Sequence, residues 1–164
     1  MGAEVLRRPA WATAIGVISV VFGSLGVICT PVNLVMQQRN PAMKAIFEHA
    51  PEWFRAYVLV SQAIGIVMAL WLLAAGVLLL GRKPSAGLTH VVYSLVSLVM
   101  TAVGTAVMAV AMSSGTMPEN VAAPARLGLG IGMVIGPAFP VFLLIWFMRR
   151  KIRQEMASWR SGQV

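Results

Sequence analysis

Four stretches of this chain, residues 10–35, 56–80, 89–112 and 127–148, contain no Asp, Glu, Lys or Arg. A helix needs about 20 apolar residues to cross roughly 30 Å of hydrocarbon, and each stretch is long enough. In a chain of 164 residues, 59% hydrophobic and 11% charged, a water-facing fold would lack the polar surface to cover such segments. The expectation is an all-α integral membrane protein: a single membrane domain over 1–164, four transmembrane helices over those ranges, and a basic tail over 149–164.

The flanking charges orient the spans. Arg7, Arg8, Arg82, Lys83, Arg149, Arg150, Lys151, Arg153 and Arg160 fall on one side. Arg39, Lys44, Arg55 and Arg126 fall on the other, offset by Glu48, Glu52 and Glu119. Loops rich in Lys and Arg stay in the cytoplasm. This predicts both termini inside and an antiparallel four-helix bundle, N-in/C-in, in a bacterial inner (cytoplasmic) membrane. The first apolar run is longer than a signal peptide's core and lacks a small-x-small cleavage site, so it reads as a retained helix. Ile28 before Cys29 argues against a lipoprotein acceptor, and Pro9 after Arg7 and Arg8 favours a topology signal over twin-arginine export.

Between the first two spans, Asn40 can cap a helix that Pro41 starts and Pro51 stops, with Met43, Ile46, Phe47 and Ala50 on one face. A short interfacial helix in this first external loop is expected, followed by Trp53, Phe54 and Tyr57 at headgroup depth. The link at 81–87 is short enough to make the second and third spans antiparallel neighbours. In the tail, Ile152, Met156 and Trp159 share a helical face. Arg149, Arg150, Lys151 and Arg153 would hold this continuation of the fourth span on anionic lipid.

Small and polar residues follow a heptad rhythm. Gly16, Ser19, Gly23, Gly26, Thr30, Asn33 and Gln37 are spaced alternately by three and four, as are His90, Ser94, Ser97, Thr101, Gly104, Met108 and Ala111. Ser61, Gly65 and Ala69 add a shorter stripe. Helices in lipid associate through close backbone approach and interhelical hydrogen bonds, so these positions are candidate packing faces. The fourth span carries Gly128, Gly132 and Gly136 at small-xxx-small spacing, then Pro137 and Pro140. Each proline removes a helical donor, which predicts a break near the bilayer midplane, turned inward toward Thr101, Thr105 or Ser24.

Chemistry is sparsely supplied. One cysteine and two histidines make neither a disulfide framework nor a usual metal set, and no metal or cofactor is expected. His49 and His90 lie on opposite membrane sides, too far apart to share a haem. His90, at the start of the third span, reads as an interfacial structural histidine within reach of water. Quinone-linked disulfide oxidases of four spans need cysteine pairs, and small multidrug exporters need a glutamate inside the membrane; this chain has neither. Glu48, His49, Glu52 and Glu119 share the external side but read as a solvated loop, and no serine has a plausible histidine and acid beside it, so no catalytic residue is expected; the net charge of +8 bears on topology rather than on nucleic acid. The reading is a non-catalytic bundle that works by association, with itself or as an accessory subunit, with the bilayer as its other partner. The alternative is a small oligomeric channel or transporter using the Ser/Thr seam and the Gly/Pro-rich fourth span.

Overall fold

The structure, a computed structural model, describes residues 10–39, 52–113 and 119–159. Among these are five helices: α1 (Ala10–Arg39), α2 (Glu52–Leu80), α3 (Ala86–Ser113), α4 (Glu119–Met148) and α5 (Arg150–Ser158). The first four are long and apolar enough to cross a membrane. The expected interfacial helix at 40–50 lies outside the described residues. Helix α2 starts at Glu52, so Trp53 and Phe54 belong to the span itself, where their rings meet edge to face at 5.7 Å.

Helix α1 packs along α2 and α3 along α4, with lighter contact between α2 and α3. The first seam is set by glycine. A Cβ built on Gly23 would stand 2.6 Å from the Leu73 nitrogen, one on Gly76 would stand 2.9 Å from the Gly16 oxygen, and one on Gly26 would stand 2.8 Å from the Ala69 Cβ. Rising positions on α1 therefore meet falling positions on α2 at backbone contact.

The sequence predicts packing along the whole bundle, but burial is concentrated at one end. Ala12 and Ile15 of α1, Leu72 and Leu79 of α2, Ala86 and Tyr93 of α3, Leu143 and Phe147 of α4, and Ile152 and Met156 of α5 form one buried cluster. Toward the opposite ends of the helices, Ile28, Met36, Leu59, Val110, Leu127 and Val134 are all exposed. The seam fades for a stereochemical reason. Beyond Gly26 the α1 stripe continues with Thr30, Asn33 and Gln37, whose side chains prevent backbone contact.

Helix α4 runs from Glu119 to Met148 through Pro137 and Pro140, and so covers the span expected at 127–148. One expectation about helix ends is corrected: the tail does not continue that helix. Arg149 is extended, with φ −60° and ψ 128°, and α5 begins afresh at Arg150. Its apolar face is not left for lipid alone, because Ile152 and Met156 are buried against the other helices and Trp159 stacks on Trp11 at 5.9 Å.

Helices α2 and α3 are joined by a Schellman-type turn. The Lys83 nitrogen donates to the Leu78 oxygen at 2.9 Å and the Arg82 nitrogen to the Leu79 oxygen at 3.1 Å. The motif requires a left-handed residue, and Arg82 takes it, with φ 51°.

Candidate functional site

The chemistry-bearing groups collect at the closed end. Trp11, near the start of α1, lies 6.4 Å from Trp146 and 6.2 Å edge-on from Phe147, ring centre to ring centre. Its indole Nε1–H donates to the Glu155 carboxylate at 3.0 Å. One aromatic residue thus ties α1 to α4 and α5, each ring pair contributing about 0.5–1.5 kcal/mol beyond simple burial. Farther along, Phe22 meets Phe139 edge to face at 5.2 Å.

Beneath this cluster is a polar pair. Contrary to the interfacial position expected of it, His90 is 0% exposed, covered on one side by the Phe147 ring at 4.7 Å. The burial follows from its neighbours, the Phe147 ring of α4 on one face and Ser19 of α1 at the ring edge. His90 Nδ1 lies 2.8 Å from the Ala86 carbonyl oxygen, which can only accept, so Nδ1 carries the hydrogen. In the neutral ring Nε2 is then the acceptor, and the buried Ser19 hydroxyl donates to it across helices at 3.2 Å.

Most other hydroxyls of the expected seam turn inward on their own helices. Thr101 donates to the Ser97 oxygen at 2.8 Å, Ser94 to the His90 oxygen at 2.7 Å, and Thr30 to the Gly26 oxygen at 2.7 Å. A hydroxyl bonded in this way has its only proton committed. A second polar link between helices lies toward the open end, where Gln62 Nε2 donates to Gln37 Oε1 at 3.2 Å. Gln62 Oε1 itself is buried without a partner among the described residues.

The small residues divide. Gly16, Ser19, Gly23 and Gly26 lie on the α1–α2 seam or beside α3. At Gly104 an added Cβ would stand 3.2 Å from the Tyr57 hydroxyl, and at Gly136 one would stand 3.8 Å from the Thr101 Cγ2. Among the described residues, Gly65, Gly130 and Gly132 meet nothing within 4 Å. The surroundings of Gly128 lie outside the described residues. Pro137 is half-buried and Pro140 buried, so the proline pair faces other helices while Gly132 and Gly136 are exposed.

The basic residues occupy the rim. Arg149, Arg150, Lys151 and Arg153 are exposed, and the Arg149 guanidinium sits 5.0 Å over the Trp146 ring. Sequence reasoning passed over Trp11 and the Ser19–His90 bond. A tryptophan one residue into a basic-flanked span and a histidine on the small-residue stripe were the available signals. Among the described residues no three His, Cys, Asp or Glu side chains gather to hold a metal ion. No protein-family model matches the chain, and neither does any curated protein or solved structure.

Proposed function

We propose that this is a non-catalytic multi-pass protein of a bacterial inner membrane, an antiparallel four-span bundle with both termini in the cytoplasm, whose work is association with a second copy or with a larger membrane complex. One observation carries the reading. Gly65 on α2 and Gly130 and Gly132 on α4 leave room for a close backbone approach that nothing among the described residues occupies, whereas Gly23 and Gly76 use theirs in full. Small residues lower the cost of helix contact in lipid, where large apolar side chains gain little by exchanging acyl chains for a neighbouring helix.

Association fits these observations better than a Ser/Thr-lined conduction path. Thr101, Ser94 and Thr30 spend their protons on carbonyls of their own helices, so a solute would have to displace bonds already made.

Crosslinking in native membranes followed by mass spectrometry tests the reading. Crosslinked copies, or a reproducible partner joined through α2 or α4, are expected, and Gly65→Leu with Gly132→Leu should remove them while the helices stay folded. A chain that stays monomeric and partnerless at native abundance would refute it. A reporter active only in the cytoplasm, fused after Val164, should work.

A further inference from the structure

We propose that the groove between α3 and α5 binds one anionic phospholipid of the surrounding membrane, with an acyl chain in the groove and the phosphate between Arg150 and Arg153. The site goes beyond the association reading and does not depend on the faces invoked there.

The groove has a volume of about 520 Å³, within the roughly 300–1,000 Å³ of ligand clefts. Pro84 of the turn before α3 and Leu88 and Val91 of α3 form one wall, Phe147 lies at the end of α4, and Met156 and Ala157 belong to α5. It lies where α3 enters the apolar zone at Ala86 and α4 leaves it at Met148, which is where a lipid passes from acyl chain to headgroup. Leu88 on its wall is 69% exposed, so the apolar side opens outward toward the bilayer.

Past Arg153 and Ala157 the groove continues into a shallow recess lined by Arg150 and Gln154. These four residues share one face of α5, opposite the buried Ile152 and Met156. Charge identifies the occupant. Helix α5 has no acidic residue in its first turn and no side-chain cap, so its positive dipole end coincides with Arg149, Arg150 and Lys151. An arrangement of cations on the positive end of a helix calls for an anion. Among the described residues none is provided there, because Glu155, the one carboxylate of α5, is turned to the Trp11 indole. Arginine forks match phosphate oxygens in a bidentate manner, and the groove beside them takes the hydrocarbon.

The groove exists because α5 lies tight on α3. A Cβ on Gly87 would collide with the Met156 methyl, so at that point the two helices touch, and the cleft opens beside the contact.

Native mass spectrometry of the full-length protein in neutral detergent, titrated with phosphatidylglycerol or phosphatidylcholine, tests this. One phosphatidylglycerol should bind at least 10-fold more tightly than phosphatidylcholine. Arg150→Ala with Arg153→Ala should abolish the preference. Leu88→Trp and Ala157→Trp, from opposite walls, should each weaken the one-lipid complex at least 10-fold with every charge retained. Both positions are exposed, so circular dichroism and melting should be unchanged, and the second variant serves should the first misfold. Equal affinity for the two lipids overturns the proposal. So does wild-type binding by both folded tryptophan variants, which would reduce the basic face to diffuse surface attraction. Crosslinking between copies should not change in the arginine variant, so loss of this site and loss of association are read separately.

Discussion

At the end where α1 begins, all five helices contribute side chains to one buried cluster, while at the other end the spans expose Met36, Leu59, Val110 and Leu127. Both ends are strongly apolar, so hydrophobicity does not distinguish them. The closed end differs in having glycine facing glycine across α1 and α2, an aromatic side chain linking three helices, and a polar pair matched across α1 and α3. In a lipid solvent, those are the interactions that acyl chains cannot replace. Toward the open end Gly104 meets the Tyr57 hydroxyl and Phe54 and Ala111 are buried, but among the described residues no glycine there meets the backbone of a neighbouring helix as Gly23 does.

The largest difference is expected between two glycines of equal sequence appearance. Gly23→Leu must displace the α2 backbone, since even a Cβ there would stand 2.6 Å from the Leu73 nitrogen, and should cost about 3 kcal/mol or more in reversible unfolding from detergent. Gly132→Leu, with open space around it, should leave that midpoint within about 0.5 kcal/mol. Comparable losses from both would mean that the open end is packed after all.

Leucine truncation gives the next effect. Leu143 is 0% exposed and Leu127 is 71% exposed. Because the unfolded helices remain in an apolar solvent, most of the transfer contribution to Leu→Ala drops out and the cavity contribution remains. Leu143→Ala should therefore destabilise by about 1–3 kcal/mol. Leu127→Ala should have almost no effect on the same melting curve.

These contrasts show how far the sequence reaches. The four spans were legible because an uncharged run of 20 or more residues has few other ways to exist in a cell. The α1 rhythm marked the positions that now touch α2, since Gly16, Gly23 and Gly26 recur at the period of a packing seam. That rhythm could not separate Gly23 from Gly65 or Gly132. Small-xxx-small spacing states that a helix can be approached, not that anything approaches it. The fold-back of α5 was hidden for another reason: Phe147–Arg153 contains neither Gly nor Pro, and the break at Arg149 is repaid by burial of Ile152 and Met156 and the Trp11–Trp159 stack, all set by contacts distant in sequence. With Phe147 of α4 stacked on it and Ser19 of α1 at its edge, His90 changes from a boundary residue to a buried one. Pro137 and Pro140 lie inside α4, as the expected span had them, because a proline removes one donor without ending a helix that its neighbours hold in place.

A smaller effect tests whether polar matching helps to close the end. Ser19→Ala removes the donor to His90 Nε2, and His90→Phe leaves a hydroxyl that can turn to the Ile15 carbonyl one helical turn back. The double-mutant cycle should give a coupling of about 0.6–1.7 kcal/mol, the range found for interhelical bonds in membranes. A coupling near zero would assign closure to the aromatic and glycine contacts alone.

The smallest effect should be a gain, and it lies in the turn that leads into the closed end. Arg82 holds a left-handed conformation, φ 51°, that costs an ordinary L-residue roughly 1–2 kcal/mol. Glycine adopts it without that cost but gives up about 0.5–1 kcal/mol through the greater freedom of the unfolded chain. Arg82→Gly should therefore stabilise the protein by about 0.5–1 kcal/mol, with both turn hydrogen bonds, Lys83 to Leu78 and Arg82 to Leu79, retained. A drop in the melting midpoint would show that the guanidinium, half-buried at this end, makes a contact worth more than the strain it accepts.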